Sequence, residues 1–161
     1  MPDVHLIQDP AIEQQIEGAI QALVKRLHPL GAMNSWRGWS ASHLAGSLAC
    51  VHGGPHYPDA YEAAEMILNG ILNPCDLQNA EMWGSPLGRA LAYWGTGMPG
   101  AISRSCAAAA LDCGRANVAL MLRNGRLSEV EGTCYPTLVS TASLAHAMRQ
   151  KYPLGIDHGR A

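Results

Sequence analysis

Between positions 103 and 139 the chain sets two short helix-forming runs only three residues apart, and that spacing restricts its fold more than any other feature. The first run is Ser103-Arg-Ser-Cys-Ala-Ala-Ala-Ala-Leu111, with Ser103 as an N-cap. Ala107, Ala108 and Ala110 are small enough to let a second helix cross closely. Asp112-Cys113-Gly114 is the break. The second run, residues 115–124, puts Val118, Met121 and Leu122 inward at helical spacing. So short a break leaves two helices a narrow range of mutual angles. Two strands are predicted next, over 127–131 and 135–139. They join through a turn at Glu131-Gly132-Thr133, and Pro136 marks the return strand as an edge. Ser140-Thr141 then caps a last helix carrying Leu144, Ala145 and Met148.

The preceding hundred residues read as helices. Asp9-Pro10 opens one, because Asp caps free N–H groups and Pro fits the first helical position. Ile12, Ile16, Ala19, Ile20, Leu23, Val24 and Leu27 form an apolar stripe along it, which packs on its own domain or on a second copy. Residues 31–39 are turn-rich and hold Trp36 and Trp39, side chains that usually anchor cores. Ser40 caps a short helix through Cys50, and 51–58 is a loop. Asp59 caps a helix with Tyr61, Ala64, Ile67, Leu68, Ile71 and Leu72, which Asn73-Pro74 stops. A linker leads to Ser85-Pro86 and a helix over 87–94. Residues 95–100 are the strongest break. The predicted domains are therefore a helical unit over 1–97, for oligomerisation or partner binding, a second over 98–152 and a flexible tail over 153–161. The class is mainly α with one small β-hairpin.

Charge separates the two predicted domains. The net charge of −2 over 161 residues argues against nucleic acid, but its distribution does not. Residues 1–102 hold four basic and nine acidic residues, a net −5, whereas 103–152 hold six and three, a net +3. Asp3, Asp9 and Glu13 interrupt the start where a signal peptide would be apolar. No apolar run reaches the ~20 residues of a membrane span. Five cysteines, an odd number without a secretory address, fit reduced thiols in a cytoplasm. Phe is absent, so Trp, Tyr, Leu and Met must fill the large core positions.

Asn124-Gly-Arg-Leu127 before a short hairpin, and Leu138-Val-Ser-Thr-Ala-Ser-Leu144 opening a closing helix, resemble the excisionase and MerR-type winged helix-turn-helix. The resemblance extends to Ser103, Arg104, Ala107, Ala108, Leu111, Arg115, Val118, Gly125, Arg126 and Leu127. It covers about fifty of the 161 residues. The chain departs from the family pattern at three places: Asp112 stands for the turn glycine, Gly114 for the capping Ser of the second helix, and Cys106 for an acidic residue. The resemblance implies double-stranded DNA as partner. Arg104 and Arg126 would touch phosphate, Arg115, Asn117 and Arg123 would lie at the major groove, and Ser103 and the hairpin-turn Thr133 would also contact DNA. Arg and Asn are the side chains that make paired hydrogen bonds to guanine and adenine edges. Small winged domains cover few base pairs alone, so a homodimer is expected.

Other chemistry is weakly signalled. Cys50, His52, His56 and Cys75 have the atoms for tetrahedral zinc but not the spacing of a finger or ribbon. Cys106, Cys113 and Cys134 are candidate thiol-sensor or metal residues, although Cys106 falls on the expected core face. His43, Asp59, Glu62 and Glu65 form no forced constellation. No G-x-S-x-G, H-E-x-x-H or phosphate-binding G-x-x-x-x-G-K occurs, so neither an enzyme nor a cofactor is expected. The function expected is that of a sequence-specific DNA-binding protein: a transcriptional repressor or accessory factor of the kind carried by mobile elements. The alternative is a protein-interaction module combining the winged scaffold with the acidic helical domain.

Overall fold

The computed structural model describes residues 10–27, 35–36, 39–49, 57–70, 72–94, 100–130 and 138–151. The expectations for the lead-in, Cys50, His52, His56, the hairpin turn with Thr133, Cys134, Pro136 and the tail lie outside the described residues, as do those for the side chains of Trp36 and Trp39. The described chain is mainly helical. Its helices are α1 (Pro10–Leu27), α2 (Ala41–Leu48), α3 (Tyr57–Gly70), α4 (Pro74–Leu77), α5 (Ala80–Gly84), α6 (Pro86–Trp94), α7 (Arg104–Leu111), α8 (Arg115–Arg123) and α9 (Thr141–Lys151). Two-residue strands are β1 (Ser35–Trp36), β2 (Trp39–Ser40), β3 (Ala101–Ile102) and β4 (Val139–Ser140), with β1 antiparallel to β2 and β3 antiparallel to β4. No described helix is long and apolar enough to cross a membrane.

The α1 stripe is buried as read, at Ile12, Ile16, Ile20 and Val24, with Ala19 and Leu23 partly covered. Its cover comes from α2 and α6 of the same chain. The stripe is therefore core, and it is not available as a seam between two copies. A bidentate ion pair fixes the end of α1: Arg26 Nη1 and Nη2 donate to the Asp76 carboxylate at 3.0 and 2.6 Å.

Two local expectations are corrected. α3 starts at Tyr57, ahead of Asp59, which sits in its first turn as a charge favourable to the helix dipole. The supposed linker after Asn73-Pro74 holds α4 and α5. Asn73 ends one helix but also caps the next: its side chain accepts from the Asp76 N–H, and Asp76 returns the bond to the Asn73 N–H.

Helix α6 is the centre of the packing. Every residue from Leu87 to Trp94 is buried, and α1, α2, α3, α5, α7 and α9 all touch it. Apart from Arg89 its residues are largely apolar, and such a helix belongs inside. Trp83, Tyr93 and Trp94 supply the aromatic volume that Phe would otherwise provide. The two indole N–H groups are satisfied by helix termini: Trp83 Nε1 donates to the Leu77 carbonyl at 2.9 Å and Trp94 Nε1 to that of Leu48 at 3.0 Å. At Gly88 the α5 backbone comes so close that an added Cβ would lie 1.9 Å from the Met82 carbonyl oxygen.

One apolar cluster includes residues of α1, α6 and α9. α5 lies along α7, α6 packs on α9, and the buried Arg89 donates from Nε to the Ala110 carbonyl at 3.2 Å. Arg149 of α9 donates to the Tyr93 and Trp94 carbonyls at 3.1 and 2.7 Å, capping the end of α6.

Candidate nucleic-acid interface

Helices α7 and α8 form as their sequences dictate, and the turn between them is tight. Ser103 Oγ accepts from the Cys106 N–H at 3.1 Å, so this hydroxyl serves the α7 N-cap. At the other end Asp112 adopts a left-handed conformation with φ 53°. Its N–H bonds the Ala109 carbonyl at 3.2 Å, and the Cys113 N–H reaches back to Ala108 at 3.0 Å. This paired closure is a Schellman cap, normally centred on Gly; Asp is among the few other residues that tolerate it. The ammonium of Lys151 on α9 bonds the Leu111 carbonyl, adding a cation at the α7 C-terminus.

Gly114 begins α8 with no side chain capping its free N–H groups. They are left for water or an anion. Val118 is fully buried, and Met121 and Leu122 rest against the core. Arg115, Asn117, Leu120 and Arg123 are all exposed. Arg115 and Arg123 are eight residues apart, about 12 Å along the axis. Gly125, at φ 78°, closes the helix, and the Arg126 N–H bonds the Met121 carbonyl at 2.9 Å. That closure turns Leu127 into the core and Arg126 outward.

Residues 128–130 run antiparallel to 138–140. Glu129 bridges Val139, the Val130 N–H bonds the Leu138 carbonyl at 3.0 Å, and the Ser140 N–H bonds that of Ser128 at 2.8 Å. The Glu129–Val139 bridge falls within the two predicted strands, and the pairing runs one residue further, to Ser140. The expectation that the return strand is an edge is corrected at Val139, which lies between Glu129 on one side and Ile102 of β3 on the other. Sequence reasoning missed β3, since two residues offer no periodicity to read.

The sequence-selected residues thus divide into two sets. Arg115, Asn117, Arg123 and Arg126 are exposed on α8 and at its exit, and their side chains bond no described residue. Ser103 and Arg104 are already engaged. Arg104 Nη2 donates to Glu129 Oε1 at 3.1 Å, and its Nε is buried with no partner. Local sequence gave no sign of that pair, whose members are 25 residues apart. Asp112 is the sole acidic residue from 103 to 127, against four arginines.

Comparison with known protein families, curated proteins and solved structures finds no match.

Among the described residues the remaining candidates do not assemble into a second site. No group of three metal-ligating side chains occurs among the described residues. His43 Nε2 lies 3.1 Å from Asp59 Oδ2, both half-exposed, while Glu62 and Glu65 line a separate hollow on α3. Cys75 is exposed and Cys106 buried. Burial pushes the Cys113 thiol up; Lys151 opposes this and Asp112 adds to it. A raised thiol is the less nucleophilic kind at neutral pH, which disfavours a sensor role for Cys113.

Proposed function

We propose that the chain is a non-enzymatic, sequence-specific binder of double-stranded DNA, a repressor or accessory factor built on a winged helix-turn-helix and working in the cytoplasm. The observation that carries this reading is the outer surface of α8, where Arg115, Asn117 and Arg123 are exposed and their side chains bond no described residue. Side chains held in protein bonds would have to break them to meet bases; these do not. Its span of about 12 Å matches three to four base pairs at 3.4 Å each. The uncapped start of α8 suits a phosphate, and Arg126 and the 128–130 strand flank the helix as a wing root would. A two-fold dimer is part of the proposal, formed through a surface other than the α1 stripe.

A second reading, a protein-interaction module, is favoured by one observation. Leu120 sits at the middle of the same α8 surface and is 48% exposed. A partner that covered it would remove apolar surface from water.

Salt and substitution separate the readings. Binding to a site selected from random duplexes is expected to fall steeply with salt. Arg115→Ala and Asn117→Ala should each remove about 1–3 kcal/mol of discrimination between selected and random DNA. Arg126→Ala should weaken both alike and lower the salt slope by roughly one. Melting curves of the variants must stay near that of the parent. If stable Arg115 and Asn117 variants bind all duplexes as before, α8 does not read sequence and the second reading stands.

A further inference from the structure

Leu120 is the one large apolar side chain that is exposed among the described residues, at 48%. It stands at the α8 wall of a groove of about 450 Å³ between α8, the end of α7 and the last turns of α9. The groove leaves it open to water. Asn117 and Arg123 lie three residues to either side, so they are its neighbours on the helix surface. Ala116, four residues before it, is exposed as well. From 113 to 128 the sequence holds Arg115, Arg123 and Arg126 and no acidic residue. An apolar group is thus set among side chains that suit a polyanion.

We propose that Leu120 reads the C5-methyl group of a thymine in the major groove. The inference rests on the DNA reading and adds to it the base that the apolar part of α8 selects. Of the four bases, thymine alone carries a methyl on its major-groove edge. Guanine, adenine and cytosine lack it and present hydrogen-bonding groups there instead. Leu120 pressed against those groups would shut out their water and give no bond in return, which costs free energy. Against the thymine methyl, two apolar surfaces leave water together. Asn117, whose amide suits adenine, lies about 4.5 Å from Leu120 along the helix axis, little more than one base-pair step. The thymine therefore falls about one or two base pairs from the adenine that Asn117 reads.

The test takes the full chain and a duplex that it selects from a random pool. Each thymine of that duplex is replaced in turn by deoxyuridine, which deletes the methyl and keeps the pairing. Replacement at one position is expected to weaken binding roughly three- to fourfold, the share of one buried methyl. That position should lie beside the base pair at which Asn117→Ala loses discrimination. With Leu120→Ala the penalty there should disappear, whereas Leu120→Met and Arg115→Ala should keep it. Leu120 is exposed and Ala favours a helix, so the variant keeps its fold. The proposal is overturned if the selected duplex has no thymine there, if that thymine is insensitive, or if Leu120→Ala retains the penalty. The DNA reading survives each of those outcomes, because the selected duplex is still bound. If the chain selects no duplex, the DNA reading falls and this inference falls with it, which leaves a protein partner as the cover of Leu120.

Discussion

Arg104 Nη2 and Glu129 Oε1 are 3.1 Å apart, so the first turn of α7 is tied to the strand that pairs at Val139. The pair is partly exposed, with side-chain accessibilities of 36% and 50%. Such pairs contribute little to stability but they do occupy a charge. Glu129→Gln is expected to release Arg104 and remove a repulsive carboxylate from the proposed DNA side. Affinity for any duplex should rise, by roughly tenfold near 0.1 M salt, and the salt slope should steepen by about one. Fluorescence anisotropy at several salt concentrations measures both. Unchanged or weaker binding would place Arg104 away from phosphate.

The two left-handed positions should respond oppositely to substitution. Asp112→Gly removes the cost of a side chain at φ 53° and should stabilise the fold by about 0.5–1 kcal/mol. Gly125→Ala imposes that cost at φ 78° and should destabilise it by about 1–2 kcal/mol. Denaturant melts of the two variants check the sign of each change.

Gly88→Ala should be more damaging than either. The new methyl meets the Met82 carbonyl and the Trp83 Cα, which are backbone and cannot rotate aside. Overpacking of this kind costs about 1–3 kcal/mol or more. Gly84→Ala, whose Cβ would meet Ala109 Cβ at an ordinary 3.5 Å, is the control and should cost less. A Gly88→Ala melt equal to that of the control would show that α5 can move.

The Arg26 guanidinium, bonded to Asp76, holds that carboxyl below the usual range; partial burial opposes this, and the Asn73 N–H adds to the lowering. A carboxyl depressed in the folded chain stabilises it fully above the unfolded value of about 3.9. That stabilisation is lost as pH falls through the lower folded value. The parent protein should thus lose stability in acid more steeply than Asp76→Asn, which should be less stable at neutral pH. Thermal melts from pH 7 to pH 2 make the comparison, and parallel acid limbs would count against it.

Whatever repeats or caps locally could be read from the sequence. The α1 stripe has a helical period, Ser40 and Ser103 cap as expected, and Asp112 to Gly114 is a turn. Asn73-Pro74 misled because the same two residues can stop one helix and start another. β3 was invisible because only its partner across 38 positions makes it a strand. At the candidate site the exposed residues of α8 followed from its period. The Arg104–Glu129 pair and the α7–α8–α9 groove did not, since both arise only when distant segments meet.

The burial of α6 beside α7 and α9 bears on how this protein could be retargeted. Residues 98–152 do not make a portable cassette: cut away from α6, they would lose the partner of Arg149 and bare the apolar side of α9. A transplanted reader would have to carry α5 and α6 with it. Yet on α8 only Val118 is fully buried. The helix proposed to choose the target can therefore be rewritten along almost its whole outer side, while the scaffold that aims it tolerates little change.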